Sequence, residues 1–166
     1  MEKEKVRKPK NSKPEKEEKM PLLYGGFDSA SEIVFNDLIP NYHPHLANAK
    51  FLFLCRNTAA KSSGQKVPGS VKKASPLERY AGSFLNSGEE PDFIMIIALE
   101  VWNEYPPNKR KALLDHLLMR CVAEENPVTG NVSYGTRPPN VQEFPEIVTR
   151  HGSWNESVEE MIHACK

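Results

Sequence analysis

The chain has 166 residues, room for one compact domain with its own core but not for two comfortable ones. Its 22 basic residues balance 22 acidic ones, so no global field draws it to nucleic acid or to a membrane surface. No apolar run nears the roughly 20 residues that span a bilayer, and the first residues lack the apolar stretch of a secretory signal. Three scattered cysteines, Cys55, Cys121 and Cys165, form no CxxC pair, which favours a reduced, cytoplasmic setting.

Residues 1–20 are almost all charged or proline, with eight basic side chains against five glutamates. Such a segment buries too little apolar surface to offset its ordering entropy, so it is expected to be a disordered tail. Its functional reading is a basic arm touching nucleic acid. The interleaved glutamates dilute that field and favour a solubilising role. The domain is expected over 22–166.

Asp28 to Glu32 opens a predicted helix, with Ser29 and Glu32 spaced as a capping box, apolar positions at Ile33, Phe35, Leu38 and Ile39, and Pro40 as its stop. Lys50 to Cys55 is a short continuous apolar run and reads as a buried strand. The Lys-, Ser- and Gly-rich stretch from Asn57 to Gly69 reads as a flexible insertion. Val71–Ala74 is a candidate strand, and Ser75 to Tyr80 a helical turn. The run from Asp92 to Leu99 is the most apolar in the chain and reads as a central strand, and Glu100 to Tyr105 turns the chain onward.

The main helix is expected from Pro107 to about Glu124, started by Pro106 and Pro107 with Asn108 as a cap. Ala112, Leu113, Leu114, Leu117, Leu118, Cys121 and Val122 form its broad apolar face. NPVTGN is a turn. Asn140 to Glu143 starts another helix, with Val141, Phe144, Ile147 and Val148 facing inward, and Ser157 to Ala164 a last one. Trp102 and Trp154 are expected core anchors. Strands and helices in this order imply an α+β domain, a small mixed sheet packed against the main helix.

Four segments carry a family resemblance: NYHPHLANAKFLFL, VPGSVKKASPLERY, PDFIMIIALEVWNEYPPNKRKALLDHLLMRC and RPPNVQEFPEIVTRHGSW. Taken in order, and centred on Trp102, Arg110, Ala112, Asp115 and His116, they resemble the phage metallopeptidase domain family, a zincin-like group. The similarity runs from about Leu22 to Trp154. It implies a helix bearing an ALxDHExxH-like motif, and a later His-Asp-Val-x-Glu-Phe-like segment that opens the next helix.

An HExxH helix works because residues four apart share a face, so two neutral imidazoles reach one zinc ion. The glutamate beside the first histidine takes a proton from the zinc-bound water. Here the segment reads HLLMR. His116 keeps the first ligand position, Leu117 stands where the base belongs, and Arg120 stands where the second histidine belongs. Leucine cannot accept a proton, and arginine has five donors, no acceptor and a permanent charge. The family's downstream His-Asp pair falls at Pro139 and Asn140, while Glu143 and Phe144 remain. Glu143 is either a former ligand or half of a capping box with Asn140.

The sequence therefore points to a catalytically inactive metallopeptidase-like protein without a cofactor, serving as a binding or interaction module. Its partner is an unknown protein or peptide, in a bacterial host cell if the setting is that of a phage. His116, Arg120 and Glu143 are the candidate ligand groove, better suited to a carboxylate than to a cation. His116 is expected to be buried and hydrogen-bonded. The alternative is a metal-dependent peptidase with a rearranged zinc site, built from His116, Glu143 and one of His43, His151 or His163. HPH at His43 to His45 more often caps or bonds locally. A nucleic-acid-associated protein using the N-terminal arm is a third reading. The sequence has no GxSxG elbow and no phosphate-binding glycine pattern, and Lys72-Lys73 and Lys109-Arg110-Lys111 read as solvated charge.

Overall fold

The computed structural model describes residues 21–139 and 145–166. The charged stretch 1–20 and the predicted helix start at Asn140 to Phe144, Glu143 included, lie outside the described residues. What is described is an α+β fold built on one mixed sheet. Its strands are β1 (Tyr24–Gly26), β2 (Phe51–Arg56), β5 (Gly69–Lys73) and β6 (Phe93–Ala98), in the order β1-β2-β6-β5. β2 and β6, the two continuous apolar runs, are the central pair and run parallel, with β1 and β5 antiparallel at the edges. Central strands are covered on both faces, which is why their sequences are apolar throughout rather than alternating.

Side chains on the two faces of the sheet enter two cores. Phe51, Phe53, Val71, Phe93, Met95 and Ile97 face the main core, where the rings of Phe51 and Phe93 stack with centroids 5.2 Å apart. Leu52, Ala74 and Ile94 face the other side, backed by Leu54 and Ile96. That side is approached by α3 (Pro76–Ser83), and at Gly82 an added Cβ would lie 2.8 Å from Pro91 Cγ, so only glycine allows this closeness. Ser75 caps α3 in a complete capping box with Glu78, and Lys72 pairs with the same carboxylate. These bonds, led by the Lys72 ammonium, lower the Glu78 carboxyl to about 2.

The first helix departs from its predicted form at both ends. Its N-cap is Phe27 without a side-chain bond, and Asp28 in the first turn answers the helix dipole in place of the expected Ser29–Glu32 box. Pro40 does not end it. α1 (Asp28–Ile33) passes into a π-helical turn (Val34–Leu38) and on through α2 (Ile39–Tyr42). A proline here lacks the N–H for an α-helical bond and crowds the carbonyl four residues back, and the wider turn accommodates both. Asn41 Nδ2 donates to the Asp37 carbonyl at 2.8 Å. The buried residues are Ala30, Val34, Leu38 and Ile39, while Phe35 is exposed.

Three further expectations are corrected. The supposed flexible insertion is a hairpin, β3 (Ala60–Ser62) with β4 (Gln65–Val67), closed by Ser63 and Gly64 at φ 48° and 81°. Positive φ at both central residues matches the right-handed twist of the strands. After the short α4 (Leu99–Trp102), the main helix α5 (Pro107–Met119) stops five residues before Glu124. Its cap is Pro106 rather than Asn108, and Ala112 is exposed. The chain goes straight into β7 (Cys121–Glu125), which turns through NPVTGN and pairs with β8 (Val132–Thr136). Last come α6 (Pro145–His151) and α7 (Glu156–Ala164), the latter capped by the Asn155 side chain. Trp102 is a core residue, but Trp154 is 56% exposed. Among the described residues no helix is long and apolar enough to cross a membrane.

Candidate functional site at the end of helix α5

α5 carries every motif residue from Arg110 to Met119, and its sides have different tasks. Leu113, Leu114, Leu117 and Leu118 are buried in the main core. Leu117 reaches β5, where a Cβ built on Gly69 would stand 3.1 Å from its Cδ1. The motif position that should hold a general base therefore faces packed hydrocarbon in this chain.

A second side ties α5 to the rest of the fold. Arg110 Nε donates to the Trp102 carbonyl at 2.9 Å and its guanidinium lies 5.3 Å from the indole centroid, while Phe27 meets that indole edge-on at 5.1 Å. Lys111 pairs with Asp37 at 2.7 Å, and its ammonium holds the Asp37 carboxyl below the usual carboxylate range. One turn on, Asp115 Oδ1 lies 2.7 Å from His43 Nε2. Lys111 and Asp115 thus use the four-residue helical spacing to grip both ends of the segment Asp37 to His43. His43 is only 1% exposed, and its Nδ1 has no partner among the described residues. Its bond spans 72 positions in sequence, so it is not the local contact expected of an HPH turn.

The third side holds the candidate groove. His116 is exposed, not buried, because a residue one position before Leu117 on a helix turns about 100° away from the core. Together with Met119, Arg120, Arg137, Pro138 and Pro139 it lines a pocket of about 180 Å³. Arg120 is the C-cap of α5, and β7 begins at the next residue. Arg137 follows β8, and its N–H donates to the Arg120 carbonyl at 2.8 Å, which extends the hairpin ladder by one bond. Arg137 Nε donates to the Met119 carbonyl at 3.0 Å and so covers one of the helix-end acceptors. Arg120 Nε is buried without a partner among the described residues.

Sequence reading found His116 and Arg120 and missed Arg137. The signal was present: pairing Cys121–Glu125 with Val132–Thr136 across NPVTGN sets Arg137 opposite Arg120. Glu143, the third member of the expected groove, lies outside the described residues. His151 and His163 are exposed on α6 and α7, and neither lines this pocket. Cys121 is buried behind α5, and burial pushes its thiol up to about 12, too high for a nucleophile at neutral pH.

Zinc needs at least three converging lone-pair donors. At this pocket the described residues give one imidazole and two guanidinium cations, a donor set that does not fit the ion. Among the described residues no three of His, Cys, Asp and Glu gather as a metal would require. The larger cavity of about 290 Å³ lies elsewhere, between α1 and the β2 edge, lined by Asp28, Phe35, Lys50 and Glu89 among others. Lys50 and Glu89 already pair there at 3.3 Å.

A family model described as "Putative phage metallopeptidase" matches residues 29–166. No curated protein and no solved structure matches the chain.

Proposed function

The chain belongs to the phage metallopeptidase family, and from that membership we propose that it is a non-catalytic member which binds a protein or peptide at the end of α5. One observation carries the reading. Where the family's hydrolytic helix needs a base and a second ligand, Leu117 is packed in the core and Arg120 lines the pocket beside Arg137. No rotation of α5 presents position 117 to the pocket without emptying the core. A guanidinium cannot take up a metal or a proton, but it holds carboxylates and other anions well. The pocket keeps its place in the fold while its chemistry has changed from that of cation ligation to that of anion recognition.

Elemental analysis of freshly purified protein, with thermal melts before and after a chelator, tests this reading. Zinc well below one equivalent and an unchanged midpoint are expected. One zinc per chain together with a midpoint lowered by chelator overturns it, because metal bound to the native state raises its stability by mass action.

A further inference from the structure

We infer that the pocket takes the C-terminal end of a peptide, holding the terminal carboxylate with Arg120 and Arg137 and the last side chain, an apolar one, against Met119, Pro138 and Pro139. The inference rests on the non-catalytic reading above and adds the ligand's chemistry to it.

Three features lead to an anion. Arg120 and Arg137 are cross-strand neighbours at the base of the β7–β8 hairpin, joined by a backbone bond of 2.8 Å. Like charges set opposite one another in a ladder destabilise it unless an opposite charge lies between them. Neither arginine has an acidic partner within ion-pair distance among the described residues, although most of the molecule's ion pairs use lysines that are no better placed. Arg120 Nε is buried and unpaired, so this guanidinium makes less than its full set of bonds in the protein alone. Such groups call for a missing partner. Arg137 is in the opposite condition: its Nε is fixed on the Met119 carbonyl, which orients the guanidinium plane and leaves its four terminal N–H groups for a ligand.

The remaining walls decide which anion. Met119 is half exposed, and Pro138 and Pro139 add two rings with no N–H to offer. A phosphate would leave these surfaces wet. An aspartate or glutamate side chain would bring its carboxylate on a stem with no second apolar group. At a chain end the carboxylate and the side chain branch from the same carbon, so both leave it within a few ångströms of each other, as the arginines and the apolar wall require. A pocket of about 180 Å³ holds a carboxylate and one aliphatic side chain and little more.

The test is an NMR titration of the full chain at low salt with acetyl-Gly-Gly-Ala-Leu as the free acid, its C-terminal amide, and inorganic phosphate. The acid is expected to saturate shifts at His116, Arg120 and Arg137, with the amide and phosphate binding about tenfold or more weakly, the worth of a charge-assisted hydrogen bond. Arg137→Gln and, separately, Arg120→Gln should reduce the acid to the level of the amide, and Arg137→Lys should restore it only in part, since an ammonium lacks the fork. Equal binding of acid and amide, phosphate binding as tightly as the acid, or no localised shifts overturns the inference. Zinc is measured on the same sample. Zinc-free protein that fails to distinguish acid from amide removes this inference alone, whereas one zinc per chain removes the reading beneath it.

Discussion

Two sides of α5 meet opposite surroundings although their residues alternate along a single turn. The side with Leu113, Leu114, Leu117 and Leu118 is sealed in the main core, and Asp115 beside it is committed to His43. The side with His116, Met119 and Arg120 opens into the pocket. The residues that carry the family resemblance divide between these two settings. Trp102, Arg110 and Asp115 are scaffold, engaged with one another or with the first helix. His116 makes no comparable long-range bond among the described residues. A motif read as one chemical unit is, in this chain, a structural clamp next to an open site.

Substitutions on the two sides should separate by size. Leu117→Ala is expected to cost the most, about 2–5 kcal/mol in urea denaturation, because it empties space against β5. Leu117→Glu, which rebuilds the motif's base position in name, should cost at least as much and give no hydrolytic activity; a stable Leu117→Glu protein would mean that position 117 can reach solvent. Asp115→Ala comes next, at about 1–3 kcal/mol, since it leaves a buried imidazole with both nitrogens unpaired. A loss as small as that of a surface change would show that the His43 bond is incidental. His116→Ala should shift stability by less than about 0.5 kcal/mol, as exposed positions do. A larger loss would place His116 with the scaffold and erase the contrast.

Legibility in the sequence followed the range of the interactions. β2, β6 and the capping box at Ser75 and Glu78 were readable because an apolar run or a three-residue spacing is local. The end of α5 was not. Cys121 and Val122 continue the helical apolar pattern, and what converts them to a strand is pairing with Val132–Thr136, a segment whose SYGT core has little apolar alternation. The Ser29–Glu32 spacing fitted a box that the chain does not use, because Phe27 takes the cap position and its ring goes to Trp102. The chemical misfit of HLLMR was legible from residue types alone. The second arginine of the pocket was not, because it is brought there by the hairpin.

The π-helical turn at Val34–Leu38 sets a phase for everything after it. It holds one residue more than an α-helical turn would, and each residue of an α-helix advances the chain by about 100°. Deleting one residue there would restore ordinary winding and swing Leu38, Ile39 and His43 around the axis together. His43 would leave Asp115, and the ladder from Asp37 to Lys111 would fall out of step with it. The grip on α5, and through it the direction in which the arginine pocket opens, is therefore keyed to a single-residue insertion some eighty positions upstream of that pocket's first arginine. In a lineage of related chains, that extra residue and the His43–Asp115 pair should be gained and lost as a unit.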